Sequence, residues 1–133
     1  MKTILLLLPL LLSTTTADKN KKLFSIDART SIENKSGEIK LYIIPEKGYK
    51  WGKEYNARLT LDNGEIVNFP KLKFSNKNGD FKQEGRKAVV TIPVVGLQNG
   101  KETITGQLNC LICNETLCRL FKNVKINFPI IVQ

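Results

Sequence analysis

Glu102-Thr103-Ile104-Thr105-Gly106-Gln107-Leu108-Asn109-Cys110-Leu111-Ile112-Cys113 alternates apolar and polar side chains with a period of two. Successive side chains of a strand point to opposite faces, so this period predicts a half-buried β-strand. Ile104, Leu108, Cys110 and Ile112 fall on one face, read as core. Thr103, Thr105, Gln107, Asn109 and Cys113 fall on the other, read as facing solvent. The same pattern recurs every ten or so positions, over Leu23–Ala28, Glu38–Ile44, Ala57–Leu61, Glu65–Phe69, Lys87–Val94 and Arg119–Val132. Turn residues separate these runs: Lys35-Ser36-Gly37, Lys47-Gly48, Asp62-Asn63-Gly64, Asn78-Gly79-Asp80 and Asn99-Gly100. Asp62-Asn63-Gly64 reads as a hairpin turn, because these residues tolerate positive φ. No run of helical period exceeds a turn or two. Short strands at this spacing predict an all-β fold, an immunoglobulin-like antiparallel β-sandwich.

The segment from Phe69 to Gly85 reads as a long irregular loop, polar and interrupted by Pro70 and Gly79. Phe74 and Phe81 stand among its lysines and asparagines. Aromatic residues in such a loop either tuck beneath it or cover something.

The opening of the chain carries one basic residue, Lys2, then an apolar run from Ile4 to Leu12 and small or hydroxylated residues from Ser13 to Ala17. This is the pattern of a signal peptide over residues 1–17, and its apolar run is too short to span a bilayer. Cleavage after Ala17 leaves residues 18–133 as a single domain, periplasmic or secreted. Export places the cysteines in an oxidising compartment. The formal charge of the chain is +9. Its lysines are scattered through polar loops, at Lys47, Lys50, Lys53, Lys71, Lys73 and Lys77, as on a solvated surface. Basic and aromatic residues do not interleave as nucleic-acid platforms require, so no nucleic-acid partner is expected.

With three cysteines, one bridge and one spare thiol is the simplest arrangement. Cys110 faces the core and reads as a small buried hydrophobe. In a straight strand Cys110 and Cys113 lie about 10 Å apart and point oppositely, beyond the reach of a disulfide. Asn114-Glu115-Thr116 can turn the chain so that a bridge from Cys113 to Cys118 spans the base of a hairpin. Such a bridge closes a very small loop, worth only about 2 kcal/mol in the chain-entropy model against about 4.7 for a 100-residue loop. It is either a weak structural staple or a reactive group. The chain has no histidine, which removes Cys-His nucleophiles and histidine metal ligands from consideration.

The run Gly106-Gln107-Leu108-Asn109-Cys110-Leu111-Ile112-Cys113-Asn114-Glu115-Thr116-Leu117-Cys118 resembles the redox segment of the DsbD N-terminal domain family. Pro45-Glu46-Lys47-Gly48-Tyr49-Lys50-Trp51-Gly52-Lys53-Glu54-Tyr55 is similar to that family's proline–glycine–aromatic segment, and Gly85 to Pro93 to the strand before its redox hairpin. The resemblance implies a periplasmic immunoglobulin-like domain with thiol–disulfide interchange activity, here as a stand-alone, monomeric version. It implies electron transport from a membrane or thioredoxin-like donor to periplasmic oxidoreductases, with no small-molecule cofactor. Cys118 matches the cysteine that forms mixed disulfides with partners, and Cys113 the resolving cysteine. The family covers its bridge with an aromatic cap, for which Phe74 or Phe81 could serve. Three features depart from the pattern: four residues separate the cysteines where some members have five, Cys110 stands where an aromatic is commoner, and the sequence shows no transmembrane or thioredoxin-like portion, which is why a stand-alone version is expected.

Two other readings stand beside this one. The first is a secreted immunoglobulin-like binding module with a purely structural disulfide, for which Asn34-Lys35-Ser36 and Asn114-Glu115-Thr116 would be glycosylation sequons. The second is binding of a soft metal ion by the three thiols, although a full tetrahedral zinc site lacks a fourth ligand.

Overall fold

A computed structural model describes residues 23–33 and 35–133. The expected signal peptide, and Asn34 of the first sequon, lie outside these residues. Among the described residues ten strands form, all paired antiparallel: β1 (Phe24–Glu33), β2 (Ser36–Pro45), β3 (Lys50–Trp51), β4 (Arg58–Leu61), β5 (Val67–Asn68), β6 (Lys73–Ser75), β7 (Phe81–Glu84), β8 (Lys87–Gly96), β9 (Gly100–Cys113) and β10 (Cys118–Val132). One sheet has the order β1-β2-β8-β5, with β7 also on β8. The other has the order β10-β9-β4-β6, with β3 also on β9. These are the A-B-E-D and G-F-C orders of an immunoglobulin-type sandwich, with β6 added beyond C.

The inward faces meet in one apolar core. Ile39, Leu41 and Ile43 of β2 and Val90 and Ile92 of β8 share it with Leu59 of β4, Ile104, Leu108 and Ile112 of β9, and Ile130 of β10. Each fully buried aliphatic side chain contributes about 1.5–3 kcal/mol. A small-loop bridge worth about 2 kcal/mol is a minor part of such a core. The bridge is not what holds this sandwich together.

The alternation expected along Glu102–Cys113 holds in β9: Ile104, Leu108, Cys110 and Ile112 are buried, while Thr103, Thr105 and Gln107 are exposed. Strand β10 changes parity partway. Phe121 pairs with Cys110 and Val124 with Leu108, so Lys122 and Asn123 together oppose Asn109 in a β-bulge. Asn123 takes φ 52°, a left-handed conformation that asparagine tolerates. The side-chain oxygen of Asn109 accepts its N–H at 2.8 Å. The extra residue explains why odd-numbered Phe121 and even-numbered Ile126, Phe128 and Ile130 all point inward.

Two local expectations are corrected. Asp62-Asn63-Gly64 does not close a hairpin, because β4 and β5 belong to different sheets. The segment opens a crossover: Asp62 N donates to the Thr105 carbonyl at 3.0 Å, and side chains take backbone donors of the residues that follow. Glu102 accepts the N–H groups of Glu65, at 2.7 and 3.0 Å to its two oxygens, and of Ile66 at 3.0 Å. Asn63 Oδ1 accepts that of Phe69 at 2.8 Å. The stretch from Phe69 to Gly85 is not one irregular loop, since it contains the whole of β6 and β7. Between them Asp80 accepts hydrogen bonds from Ser75 N and Lys71 Nζ. Burial pulls the Asp80 carboxyl upward, but these bonds and the Lys71 charge outweigh it and hold it below the usual range.

Glu102→Ala should leave the crossover donors without their carboxylate. The expected loss is about 1.5–3 kcal/mol, the range for hydrogen bonds to a charged group, read by urea unfolding with the bridge intact.

Candidate functional site

Strands β9 and β10 run antiparallel from Gly100↔Val132 to Cys113↔Cys118, and this last pair closes the ladder. The two cysteines are directly opposite each other, with Cα atoms 3.9 Å apart, and are joined by a disulfide. Asn114 to Leu117 form the loop beyond them. Asn114 N donates to Leu117 O at 2.8 Å. Asn114 Oδ1 accepts the backbone N–H groups of Thr116 at 2.9 Å and Leu117 at 2.7 Å, and lies 3.2 Å from the Thr116 hydroxyl. One side chain thus gathers the remaining backbone donors of a tight loop.

The two sulfurs sit in unequal surroundings. Strand β9 is interior: Cys113 has Cys118 on one side and Lys50 of β3 on the other. Strand β10 is at the edge of its sheet. Accordingly Cys113 is only 8% exposed, whereas Cys118 is exposed. Alternation places Cys113 on the solvent-facing side, but it is buried where the chain from Pro45 to Gly52 runs beside it, Lys50 pairing with Cys113 and Trp51 with Ile112. That segment is well tied. Trp51 N donates to Arg86 O, Gly52 N donates to Leu111 O, and the Arg86 guanidinium donates to the carbonyls of Glu46 and Tyr49. Gly52 permits the close approach, because a Cβ there would lie 2.9 Å from both the side chain and the carbonyl oxygen of Leu111.

Open recesses flank the bridge. One of about 510 Å³ is bounded by Leu23, Glu46, Tyr49, Leu117, Cys118 and Arg119, among others. A second, of about 670 Å³, includes Tyr49, Lys50, Arg86, Cys113 and Glu115. The aromatic residue common to both is Tyr49, half-buried. Phe74 and Phe81 are elsewhere: both are buried in the core, Phe81 stacked on Trp51 with ring centroids 5.3 Å apart. Neither lines these two recesses or the third beside Cys113. They tuck under the chain and do not cap the bridge. Tyr49 was visible in sequence only as part of the proline–glycine–aromatic segment.

Exposed apolar side chains flank the disulfide at its β10 end. Leu117 is 71% exposed and Leu120 44%, on either side of Cys118. An apolar residue in a polar turn was the one sequence signal for this. Arg119 lies over the Phe121 ring, 5.2 Å from its centroid, and lines the 510 Å³ recess together with Cys118. Cys110, by contrast, is fully buried with no disulfide partner. Burial pushes its thiol up to about 12, so it stays protonated and unreactive. Its position on β9 is the immunoglobulin F-strand site, but Ile39, Leu41 and Ile43 occupy the facing B strand.

The molecule is an antiparallel β-sandwich with an asymmetric surface disulfide at the tip of its longest hairpin. Comparison with protein-family models gives no match, and no curated protein or solved structure matches the chain.

Gly52→Ala should drive the segment from Pro45 to Gly52 away from the end of β9. The expected loss is about 1–3 kcal/mol, as for overpacking, with hydrogen-exchange protection lowered at Trp51 and Gly52 and unchanged in β2 and β8.

Proposed function

We propose that this chain is an exported thiol–disulfide exchange domain, working through Cys113 and Cys118 in the manner of the DsbD N-terminal family that its redox segment resembles. The single observation that carries the reading is the unequal exposure of the two sulfurs. A staple needs no such difference, whereas an exchange site needs one sulfur open to a partner and one held back to resolve the adduct.

In the proposed reaction a donor thiolate attacks Sγ of Cys118. The Cys113–Cys118 bond breaks, a bond between donor sulfur and Cys118 forms, and Cys113 leaves as thiolate. A second donor thiolate then attacks the donor's own sulfur and releases Cys118 as thiolate. The donor ends as a disulfide, this chain has gained two electrons, and both thiolates equilibrate with solvent protons. Passing the electrons on runs the same steps in reverse against an oxidised acceptor. Rates follow thiolate fraction and access. Thioredoxin-like or membrane oxidoreductases are the partners this reading implies, in the periplasm. The metal reading loses support because Cys110 faces the core while Cys113 and Cys118 lie at the strand end.

Titration against thiol redox buffers tests the proposal. The Cys113–Cys118 couple should fall between about −120 and −270 mV, the span of exchange proteins, and a couple below about −300 mV would mark a structural staple in a binding module.

A further inference from the structure

Resting on the exchange reading, the backbone geometry of β10 carries a statement about what approaches Cys118. In an antiparallel ladder, facing residues either exchange both backbone hydrogen bonds or neither, in alternation. The carbonyl of Leu111 turns away from β10 and accepts the N–H of Gly52 at 2.7 Å. The Leu111↔Leu120 pair is therefore of the kind without mutual bonds, and so is Cys113↔Cys118 two residues on. Asn114 N donating to Leu117 O, one residue beyond, fits the same alternation. Hence Cys118 and Leu120 turn their own N–H and C=O groups outward from the sheet. No other strand pairs with β10 on that side among the described residues.

Chemistry points to the same side. Cys113 on β9 is the leaving group, so in-line attack reaches Cys118 from the direction away from β9, where β10 is open. The straight part of that edge is short, because the bulge at Lys122 and Asn123 bends the strand just beyond Phe121.

We infer that the partner presents its reactive cysteine in an extended segment that adds antiparallel to β10 at Cys118–Leu120, as a transient extra strand. Peptides are recognised in this way at open sheet edges, with the main chain giving affinity and alternate side chains giving specificity. With the partner cysteine opposite Cys118, its Cα stands about 5.5 Å away, within the span a disulfide bridges. The residue before that cysteine then faces Arg119, and the residue two before it faces Leu120. The exposed Leu120 assigns an apolar side chain to the second position. The occupant is an extended segment with an apolar residue two before its cysteine.

The test uses single-cysteine peptides and the oxidised protein, following formation of the peptide–Cys118 mixed disulfide by mass after acid quench. A Leu-Glu-Cys peptide should react faster than the same composition with the leucine moved after the cysteine. Methylating the backbone nitrogen of the leucine removes one hydrogen bond to the Leu120 carbonyl and should slow the reaction about 5-fold. Leu120→Thr should erase the preference for leucine, each peptide's rate being taken relative to that of glutathione on the same variant. Equal rates for all three peptides, with glutathione still reactive, would overturn the strand-pairing inference and leave the exchange reading intact. A rate that falls as protein concentration rises would give the edge to a second copy of the chain and overturn it too. Failure of glutathione and every peptide to open the bridge would bring down the exchange reading and this inference together.

Discussion

The register of the β9–β10 hairpin is the constraint from which the rest follows. Pairing of Cys113 with Cys118 at its end puts both sulfurs within bonding reach. The same register sends Cys110 into the core and seats it opposite Phe121. Because β9 is interior and β10 is an edge, a symmetric pair of residues becomes an asymmetric pair of sulfurs. No special chemistry at either cysteine is needed for this. Position in the sheet is enough.

Stability and reactivity are separable in this arrangement. The sandwich rests on aliphatic and aromatic side chains spread over both sheets, against which the bridge contributes little. The exchange reading requires this, since a bridge that opens and closes must not be what the fold rests on. What surrounds it is built with more care than its loop size would suggest. Asn114 fixes the loop, Arg86 fixes the neighbouring segment, and Gly52 allows that segment to lie against Leu111.

Much of the fold was legible in the sequence because burial on one face imposes a period of two. That period located the core face of β9 and separated Cys110 from the bridging pair. It failed where a side chain replaced a strand as hydrogen-bond partner. Asp62-Asn63-Gly64 has the composition of a hairpin turn, yet the carboxylate of Glu102, distant in sequence, makes it a crossover. The bulge at Asn123 was equally hidden, since one inserted residue resets parity without changing composition. At the site, the cysteines were legible and their surroundings were not. Phe74 and Phe81 stand in polar sequence but reach the core through short strands, and Tyr49 reaches the bridge only through tertiary contacts. Alternation also exposed Cys113 on paper, because a local pattern cannot see a neighbouring segment running beside it.

The central claim is that attack is directed to Cys118. Oxidised protein treated briefly with excess small thiol, quenched in acid, alkylated and mapped by peptide mass reports which sulfur carries the adduct. The account predicts adducts on Cys118 with the alkylating group on Cys113. Adducts shared equally between the two, or found chiefly on Cys113, would contradict it.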